Sequence, residues 1–382
     1  MKKYFWKLIA TLITLLILLT ACDMSNIFHD MSSGYMDPTI GDNAGVVTEN
    51  VPEDCDFEIH FIDVGQADCA LVKCDGKTML IDAGNREDSD LIYTYLKNQG
   101  ISYLDVLLIT HGHEDHVGGA AGALNAVTVG TAYCSVTEYN SKVFSNFVKY
   151  LDKQGKKITV PSHGDTFMLG SAQCQIVGPI SPSDEPNNTS IVLLITYNGK
   201  SFLFTGDAET VEENEILDAG YNVKCDVLKV GHHGSETSTG YRWLKAAAPT
   251  YAVISCGKDN SYGHPHAGPL SKLRDADVKV FRTDMQGTVI CYVNGNTIGF
   301  ATNKNSAADT LEGAGEGGNH TDSSQSNPSG VAEYVLNTSS KKFHLPSCSS
   351  VANMSEKNKQ EVTTTRDSLV NDGYTPCGSC DP

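Results

Sequence analysis

The chain has 382 residues, of which 40% are hydrophobic and 19% are charged. This length and composition allow a sizeable buried core and exclude a collagen-like, coiled-coil or wholly disordered protein. Acidic residues outnumber basic residues 46 to 28, so the formal net charge is −18. Bulk charge therefore excludes nonspecific coating of nucleic acid, and any contact with nucleic acid must be local or assisted by metal ions.

Residues 1–21 carry the pattern of a secretory signal peptide. Three lysines precede an apolar run at residues 8–19, which is shorter than the roughly 20 residues of a membrane-spanning helix. The run ends in Leu19-Thr20-Ala21-Cys22, which resembles a bacterial lipobox and implies a lipid on Cys22. An uncleaved signal anchor is the alternative. We expect an extracytoplasmic lipoprotein in which residues 22–55 form an acidic tether to the membrane.

The body of the chain, residues 56–301, alternates strand and helix patterns. Strand patterns at residues 57–62, 69–73 and 78–81 precede a helical stretch at 88–99, and an apolar strand follows at 103–110. This alternation predicts an α/β fold in which helices cover the sheets. Later strands are predicted at residues 126–133, 166–177, 191–197, 201–205, 226–230, 251–255, 278–282 and 288–293. Later helices are predicted at residues 119–124, 139–154, 209–219 and 270–275.

Three imidazoles and a carboxylate follow the apolar strand within six residues, His111-Gly112-His113-Glu114-Asp115-His116. Neutral imidazole and carboxylate are preferred ligands of Zn²⁺ and similar divalent ions. A loop that leaves a rigid strand lets such side chains converge on one point, and a glycine permits tight turns. The pattern predicts a metal site, and a solvated polar loop is the alternative.

This loop resembles the HxHxDH signature of the metallo-β-lactamase superfamily. Further motifs, in order along the chain, are similar to the hydrolase domain of ComEC-type competence proteins. The resemblance implies an αββα sandwich over residues 56–301 and a hydrolase that uses metal-activated water on a phosphodiester, with DNA as the substrate. The motifs are residues 61–68 (FIDVGQAD), 80–84 (LIDAG), 204–207 (FTGD), 228–235 (LKVGHHGS), 262–266 (YGHPH) and 281–284 (FRTD).

The resemblance also implies which residues hold one or two divalent ions, either zinc or manganese. Asp207 would bridge the two ions. The second ion needs a later histidine, and His232 is preferred because it comes first after the strand at 226–230, while His233 remains possible. The implied metal ligands are His111, His113, Asp115, His116, Asp207 and His232.

Two further roles follow from the same resemblance. Asp115 would orient the attacking water, and His264 or His266 would donate a proton or contact a phosphate. For these last two histidines a structural role is the alternative. Residues expected to support the ligands rather than to bind metal are Asp63, Asp68, Asp82, Asn188, His233 and His266.

The sequence departs from the superfamily at one ligand of the first metal. Most members supply a third histidine between the histidine loop and the bridging aspartate, but the only histidine in this interval is His163, outside any similar motif. Asn187-Asn188-Thr189-Ser190 stands in its place, as in ComEC-type domains. Amide and hydroxyl oxygens suit harder ions such as Mn²⁺ better than Zn²⁺. This departure argues against a filled two-zinc site.

A row of lysines is predicted on the helical stretch at 139–154 and just beyond it. Lys142, Lys149, Lys153 and Lys156 recur there at near-helical spacing. Such a row is able to follow a nucleic-acid backbone, but a solvated helix face is the more common meaning.

The tail carries a second metal pattern. Residues 302–330 are small and polar, which predicts a flexible linker before a module at 331–382. His344, Cys348, Cys377 and Cys380 form a four-ligand set suited to structural zinc, and a Cys377–Cys380 disulfide is the alternative. The tail resembles the metal-binding module of Ada-type repair proteins. Since His344 stands where that family has its methyl-accepting cysteine, alkyl transfer is not implied.

Three functions remain open from the sequence. The first is an extracytoplasmic, lipid-anchored nuclease or phosphodiesterase, with the DNA-uptake machinery as a candidate partner. The second is a metallohydrolase of a small or cell-wall ester, such as a choline-phosphate esterase. The third is a surface binding protein without catalysis, although the loop ligands, Asp207 and His232 all remain.

Overall fold

The computed structural model describes residues 47–48, 51–52, 55–314, 331–344, 346, 348–352, 354–365, 369 and 372–377. The expected signal peptide (1–21), the expected lipid site Cys22, most of the expected tether (22–55) and Cys380 lie outside these residues. Within them, no helix has the length and apolar character needed to cross a bilayer.

Strands, numbered in chain order, form two large sheets. They are β1 (Val47–Thr48), β2 (Phe57–Phe61), β3 (Ala70–Cys74), β4 (Lys77–Ile81), β5 (Tyr103–Ile109), β6 (Thr128–Cys134), β7 (Ile158–Thr159), β8 (Thr166–Leu169), β9 (Ala172–Gly178), β10 (Val192–Tyr197), β11 (Lys200–Phe204), β12 (Val227–Lys229), β13 (Tyr251–Ile254), β14 (Lys279–Arg282), β15 (Val289–Asn294) and β16 (Thr297–Thr302). The first sheet has the order β1-β16-β15-β2-β3-β4-β5-β6-β7. The second has the order β14-β13-β12-β11-β10-β9-β8.

Helices lie between the strands. They are α1 (Ser89–Asn98), α2 (Glu114–Val117), α3 (Ala120–Ala126), α4 (Lys142–Lys153), α5 (Thr210–Asp218), α6 (Tyr241–Ala247), α7 (Ala267–Asp275) and α8 (Thr283–Gln286). The sequence of α4 shows why it forms. The Ser141 side chain accepts a hydrogen bond from the Phe144 backbone N–H at the helix start, and the buried positions recur on one face through Phe147 and Leu151.

The two sheets pack face to face and are covered by helices on both outer faces. Alternate side chains of β2, such as Phe57 and Phe61, meet Phe202 and Phe204 of β11 in the central core. The opposite face of the first sheet packs against α1 to α4, and the opposite face of the second sheet packs against α5 to α7. This arrangement confirms the predicted α/β class and the αββα sandwich.

Parallel strands determine where polar residues gather. Strands β4, β5 and β6 are parallel neighbours in the first sheet, and β11 to β14 are parallel neighbours in the second. The loops that leave the carboxyl ends of β4, β5, β11 and β12 carry Asp82, the histidine loop, Asp207 and the His232-His233 pair. In α/β sheets, ligands bind at such carboxyl ends.

The start of the expected linker belongs to the sandwich instead. Thr302 is the last residue of β16. Thr310 Oγ1 donates a hydrogen bond to the Val280 carbonyl at 2.8 Å, and Arg282 Nη1 donates to the Glu312 carbonyl at 3.1 Å. Leu311 also packs on the helix-side core of the second sheet. The polar composition of this segment concealed these contacts because backbone carbonyls, rather than apolar side chains, make most of them.

The tail forms a small sheet of its own. Its strands are β17 (Val331–Asn337), β18 (Lys342–His344), β19 (Lys359–Thr365) and β20 (Thr375–Pro376), in the order β19-β17-β18-β20. A single helical turn, α9 (Ser349–Ala352), follows β18. Two small clusters of buried side chains, one around Phe343 and one around Cys348, form its core.

Candidate metal centre

The histidine loop is fixed by an aspartate on the neighbouring strand. Asp82 follows β4 in a left-handed conformation (φ 55°) and is buried. Its carboxylate accepts hydrogen bonds from the Thr110 backbone N–H at 2.7 Å and from Thr110 Oγ1 at 2.9 Å. The same carboxylate lies 2.9 Å from His116 Nδ1. Asp82 therefore sets both the exit of the chain from β5 and the orientation of the His116 ring.

The loop also needs its glycine. A Cβ atom at Gly112 would lie 2.6 Å from Cγ of the Tyr139 ring, too close for any other residue without a shift. His113, the next residue, has extended backbone and precedes the first turn of α2. The ring of Tyr139 packs edge-on against His113 with the centroids 5.9 Å apart. Gly112 thus lets Tyr139 close over the loop and hold His113 in place.

Two groups of metal-ligating side chains share one buried carboxylate, that of Asp207. In each group, one ligand atom from every residue lies within 4.8 Å of the others, a spacing that could hold a divalent ion. The first group is His111, His113 and Asp207. The second group is Asp115, His116, Asp207 and His233.

His233, rather than His232, lies with the second group. His233 Nε2 is 3.2 Å from Asp115 Oδ2 and 3.8 Å from Asp207 Oδ1. The sequence favoured His232 because it comes first after the strand, but both histidines adopt left-handed backbone, with φ of 49° for His232 and 55° for His233. This backbone turns the two neighbouring rings to different sides of Asp207. The geometry therefore favours His233 as the later histidine of the second group and moves it out of the supporting set.

Charges around Asp207 hold its carboxylate ionised. Burial alone would raise the pKa of Asp207, but the neighbouring His116 and His233 lower it well below its usual range. For His116 the directions are reversed. Burial alone would lower the pKa of His116, but the negative charges of Asp207 and Asp82 more than offset this, so its pKa is raised. An ionised carboxylate is the form that binds a metal ion.

A buried ion pair supports His233 from behind. Lys229 Nζ lies 2.8 Å from Asp68 Oδ2, and their side chains are only 4% and 7% exposed. The other carboxylate oxygen of Asp68 is 3.2 Å from His233 Nδ1, which also lies 2.9 Å from the Ser255 carbonyl. Asp68 and Asp82, both expected as supporting residues, thus contact histidines of the second group from outside.

This arrangement coincides with a family match. Residues 62–258, more than half of the chain, match the metallo-beta-lactamase superfamily. The chain belongs to that superfamily. Membership implies a metal-dependent hydrolase that uses divalent ions.

Relatives of the metallo-β-lactamase domain include competence proteins. ComE operon protein 3 of Bacillus subtilis is 32% identical over 251 residues, which are 61% of this chain and 32% of that protein. Competence protein ComA of Neisseria gonorrhoeae is 29% identical over 244 residues, 63% of this chain and 33% of that protein. The chain therefore spans about a third of the length of these relatives. The predicted resemblance to ComEC-type domains is confirmed.

A solved structure, the metallo-beta-lactamase fold protein YhfI from Bacillus subtilis, aligns with a TM-score of 0.40 and 13% identity. The alignment covers 59% of this chain and 95% of that one.

The metallo-β-lactamase domain opens to solvent through a cleft of about 350 Å³ above Asp207. The cleft includes three residues that had no predicted role, Gln66, Glu114 and Tyr262, and also Asn187 from the segment that stands in place of the missing histidine. Gln66 and Tyr262 lie inside two of the matching motifs, so the motifs themselves were the available signal. The lining residues are Gln66, His113, Glu114, Asp115, Asn187, Asp207, His232, His233, Tyr262 and His264.

The tautomer of His264 follows from its hydrogen bonds. Gln66 Oε1 accepts a hydrogen bond from the Gly257 backbone N–H at 3.0 Å, so the Gln66 amide nitrogen is the atom that faces His264 Nδ1 at 3.2 Å. Nδ1 of His264 is therefore an acceptor, and its proton is on Nε2. Burial and the neighbouring His233 lower the pKa of His264 to about 4. His264 is a neutral hydrogen-bond donor at pH 7.

Three expected supporting residues lie elsewhere or face away. Asp63 pairs with Lys304 at 3.0 Å and belongs to neither metal-ligating group. Asn188 Oδ1 accepts the Glu209 backbone N–H at 3.1 Å, so Asn187 faces the cleft instead. His266 Nδ1 accepts the Glu236 backbone N–H at 3.2 Å, at the edge of the same loop as His264. The sequence alone did not distinguish these residues from their neighbours because adjacent side chains point in different directions.

The lysine row on α4 does not line the cleft. Lys156 Nζ donates a hydrogen bond to the Gly130 carbonyl at 2.8 Å, and Lys153 Nζ lies 3.8 Å from the centre of the Tyr150 ring. Lys157 pairs with Asp152 at 2.6 Å. Lys153, Lys156 and Lys157 therefore contact groups of their own domain, and none of them lines the cleft.

The tail brings part of its predicted metal set together. Ligand atoms of His344, Cys348 and Cys377 lie within 4.8 Å of one another, and all three residues are buried. His344 Nδ1 has no hydrogen-bond partner among the described residues. The fourth predicted ligand, Cys380, lies outside the described residues.

Proposed function

We propose that the chain is a metal-dependent phosphodiesterase that cleaves DNA outside the cytoplasm. The observation that carries the proposal is the sharing of Asp207 by two donor groups at the base of an open cleft. Two-metal sites of this kind stabilise both the attacking and the leaving oxygen of a phosphodiester. The ComEC-type resemblance supports DNA as the source of that phosphodiester.

The residues present fit such ions. His116 Nε2 and Asp207 Oδ1 are buried 3.2 Å apart and face each other without a well-aligned hydrogen bond to any described residue. Buried polar atoms without partners are costly, and a shared cation would satisfy both. Histidines 111 and 113 would hold the first ion, Asp115, His116 and His233 the second, and Asp207 both. When bound, divalent ions supply Lewis acidity that activates water and polarises a phosphoryl oxygen.

Side chains of the cleft have separate tasks in this proposal. Burial alone would raise the pKa of Asp115, but in the metal-free domain the charge of His116 and the hydrogen bond from His233 lower it, so the carboxylate is ionised. It would orient the attacking water and accept its hydrogen bond. Neutral His264 would donate its Nε2–H to a phosphoryl or leaving oxygen rather than act as a cationic acid. His266 would hold the loop that presents His264.

A nuclease assay tests the proposal. The chain, supplied with Mn²⁺ or Zn²⁺, is incubated with labelled single-stranded and double-stranded oligonucleotides, and products are separated by length. We expect cleavage that falls at least about 100-fold in Asp207→Asn and Asp115→Asn and is unchanged in the surface control Asp75→Asn. Cleavage that survives Asp207→Asn would show a contaminating nuclease and overturn the proposal.

A smaller substrate is the second candidate. Among the described residues that line the cleft, none is a lysine or arginine, and two, Glu114 and Asp115, are acidic in addition to Asp207. Such a lining suits a small ester, for example a choline-phosphate ester, at least as well as a long polyanion. Turnover of a chromogenic choline phosphodiester together with intact oligonucleotides would establish this candidate instead of the nuclease.

The location and the tail belong to the same proposal. Lipid attachment at Cys22, followed by the tether at 22–55, would hold the domain at the outer face of the membrane, near DNA-uptake machinery. Membrane fractionation of the wild type and of Cys22→Ser tests this, and an unchanged distribution would contradict it.

The tail would hold a structural zinc ion through His344, Cys348, Cys377 and Cys380. Cys348→Ser should then lower the zinc content by one ion per chain, and equal zinc content in both proteins would reject the zinc assignment.

A further inference from the structure

The two oxygens of Asp207 divide the neighbouring histidines into pairs. Oδ1 lies 3.2 Å from His116 Nε2 and 3.8 Å from His233 Nε2. Oδ2 lies 3.9 Å from His111 Nε2 and 3.7 Å from His232 Nε2. Each oxygen therefore faces two imidazole nitrogens. His232, which the second group does not use, lies on the side of Asp207 that the first group occupies.

The ring of His232 is oriented for this side by its other nitrogen. Nδ1 lies 3.1 Å from Thr237 Oγ1 and 3.7 Å from Glu209 Oε1. Thr237 Oγ1 is able to accept a hydrogen bond from Nδ1–H, and the nearby negative charge of Glu209 favours a proton on this nitrogen. The lone pair of Nε2 is then directed at the Asp207 side. Histidines that bind metal typically have their second nitrogen held in this way.

Asn187 presents a second atom that could bind a metal ion, its amide oxygen, to the same cleft. Its side chain is only 7% exposed, counted over the whole residue, and it lines the cleft with His113 and Asp207. Asn187 Nδ2 donates a hydrogen bond to Glu209 Oε1 at 3.3 Å, which fixes the amide so that Oδ1 is the free end. Oδ1 is buried and has no hydrogen-bond partner among the described residues. A cation would satisfy it.

One carboxylate oxygen of Glu209, Oε1, lies near both residues, at 3.3 Å from Asn187 Nδ2 and 3.7 Å from His232 Nδ1. We infer that His232 and the amide oxygen of Asn187 complete the first metal site, in place of the histidine that the sequence lacks. The inference rests on the proposed metal centre. The first ion then has imidazole donors and two oxygen donors, from Asp207 and Asn187. Such a mixed set favours an ion that accepts more than four ligands, such as Mn²⁺, over tetrahedral zinc.

Metal binding without substrate tests the inference. Metal-free chain is titrated with Mn²⁺, and the number of bound ions and their dissociation constants are measured by calorimetry and by electron paramagnetic resonance of free Mn²⁺. We expect two ions in the hydrolase site of the wild type. In His232→Ala and in Asn187→Ala, one of them should bind roughly 10- to 100-fold more weakly while the other is unchanged. Asn187→Asp retains an oxygen donor and should keep both.

His163→Ala is the matched control, because its ring contacts Tyr221 Oη at 2.8 Å and His163 does not line the cleft. Circular dichroism confirms that each variant is folded, and His232→Gln provides a second substitution at the same position. Two unchanged dissociation constants in both His232 variants and in Asn187→Ala would overturn the inference and leave these residues as substrate contacts. A wild type that binds two ions but cuts no DNA would reject the nuclease proposal alone. A wild type that binds fewer than two ions would reject the inference.

Discussion

Nδ1 of His116 lies 2.9 Å from Oδ2 of Asp82, although the two residues are 34 positions apart in the chain. Both side chains are buried, and the opposite ring nitrogen of His116 faces the shared carboxylate of Asp207. A carboxylate behind a metal-binding histidine fixes the tautomer and the ring orientation. The end of strand β4 therefore positions a ligand on the loop that follows β5.

Asp82→Asn should weaken binding of the proposed second metal ion by roughly 10- to 100-fold. The amide lacks one of the two acceptor oxygens that hold Thr110 and His116. Calorimetric titration with Mn²⁺ measures the loss. Asp75→Asn is the control, because the carboxylate of Asp75 also accepts a backbone hydrogen bond, from Ser171 at 2.7 Å, but Asp75 lies in the turn before β4, at the opposite end of that strand from Asp82. Equal metal affinity in wild type and Asp82→Asn would contradict the positioning role.

Lys229→Met should destabilise the domain strongly. Removing the lysine leaves the carboxylate of Asp68 buried without its ion-pair partner, and breaking a buried pair in this way costs about 3–5 kcal/mol. Urea denaturation measures the free energy of unfolding. Adding Asp68→Asn removes the stranded charge, so the double variant should be less destabilised than the sum of the two single variants. Additive effects would mean that the two side chains are not coupled.

The sequence predicted most of the side chains that the structure brings together at the candidate metal centre, because they follow strand ends in short, distinctive motifs. His111, His113, Asp115, His116 and Asp207 are all within the two groups that the structure brings together. Their assignment to particular ions remains a proposal.

The sequence could not show which of two adjacent residues of the same type faces the site. His232 and His233 differ only in the backbone turn that directs each ring, and Asn187 and Asn188 differ only in which amide faces Glu209's backbone. A pattern of residue types carries no information about these directions. The start of the expected linker at 302–330 was placed too early for a related reason, since the backbone carbonyls of Thr310 and Glu312 make the contacts with Arg282.

Tyr262 should contribute to binding of a nucleobase if DNA is the substrate. Its ring is 68% exposed, counted over the whole residue, and stacks on His264 at the cleft with centroids 5.7 Å apart. Stacking of a base on an exposed aromatic ring contributes about 1–3 kcal/mol, so Tyr262→Ala should raise KM for single-stranded DNA roughly 5- to 150-fold. Tyr262→Phe should retain the wild-type KM.

An abasic oligonucleotide of the same length is the control substrate for this prediction. Its KM should be nearly the same for wild type and Tyr262→Ala, because there is no base to stack. A similar loss of affinity for the normal and the abasic strand would mean that Tyr262 acts on the phosphate backbone or on the loop that carries His264.

Glu212 on α5 should make stability depend on pH. Its side chain is buried and neither carboxylate oxygen has a hydrogen-bond partner among the described residues. Burial, together with the negative charges of Glu213 and Glu215, raises its pKa well above the ordinary value of 4.5. A raised pKa in the folded state means that the folded chain binds the proton more tightly, so this contribution to stability is full below pH 4.5 and is lost as pH rises through the folded pKa.

Glu212→Leu removes this loss. The variant should therefore gain stability relative to the wild type as pH rises from 5 to 8, by about 1–3 kcal/mol, the usual cost of a buried polar group without partners. Urea denaturation at the two pH values measures the difference. Glu236→Gln, at an exposed glutamate, should leave the pH dependence unchanged. The same pH dependence in Glu212→Leu as in the wild type would mean that another group, such as the neighbouring Glu213, binds the proton.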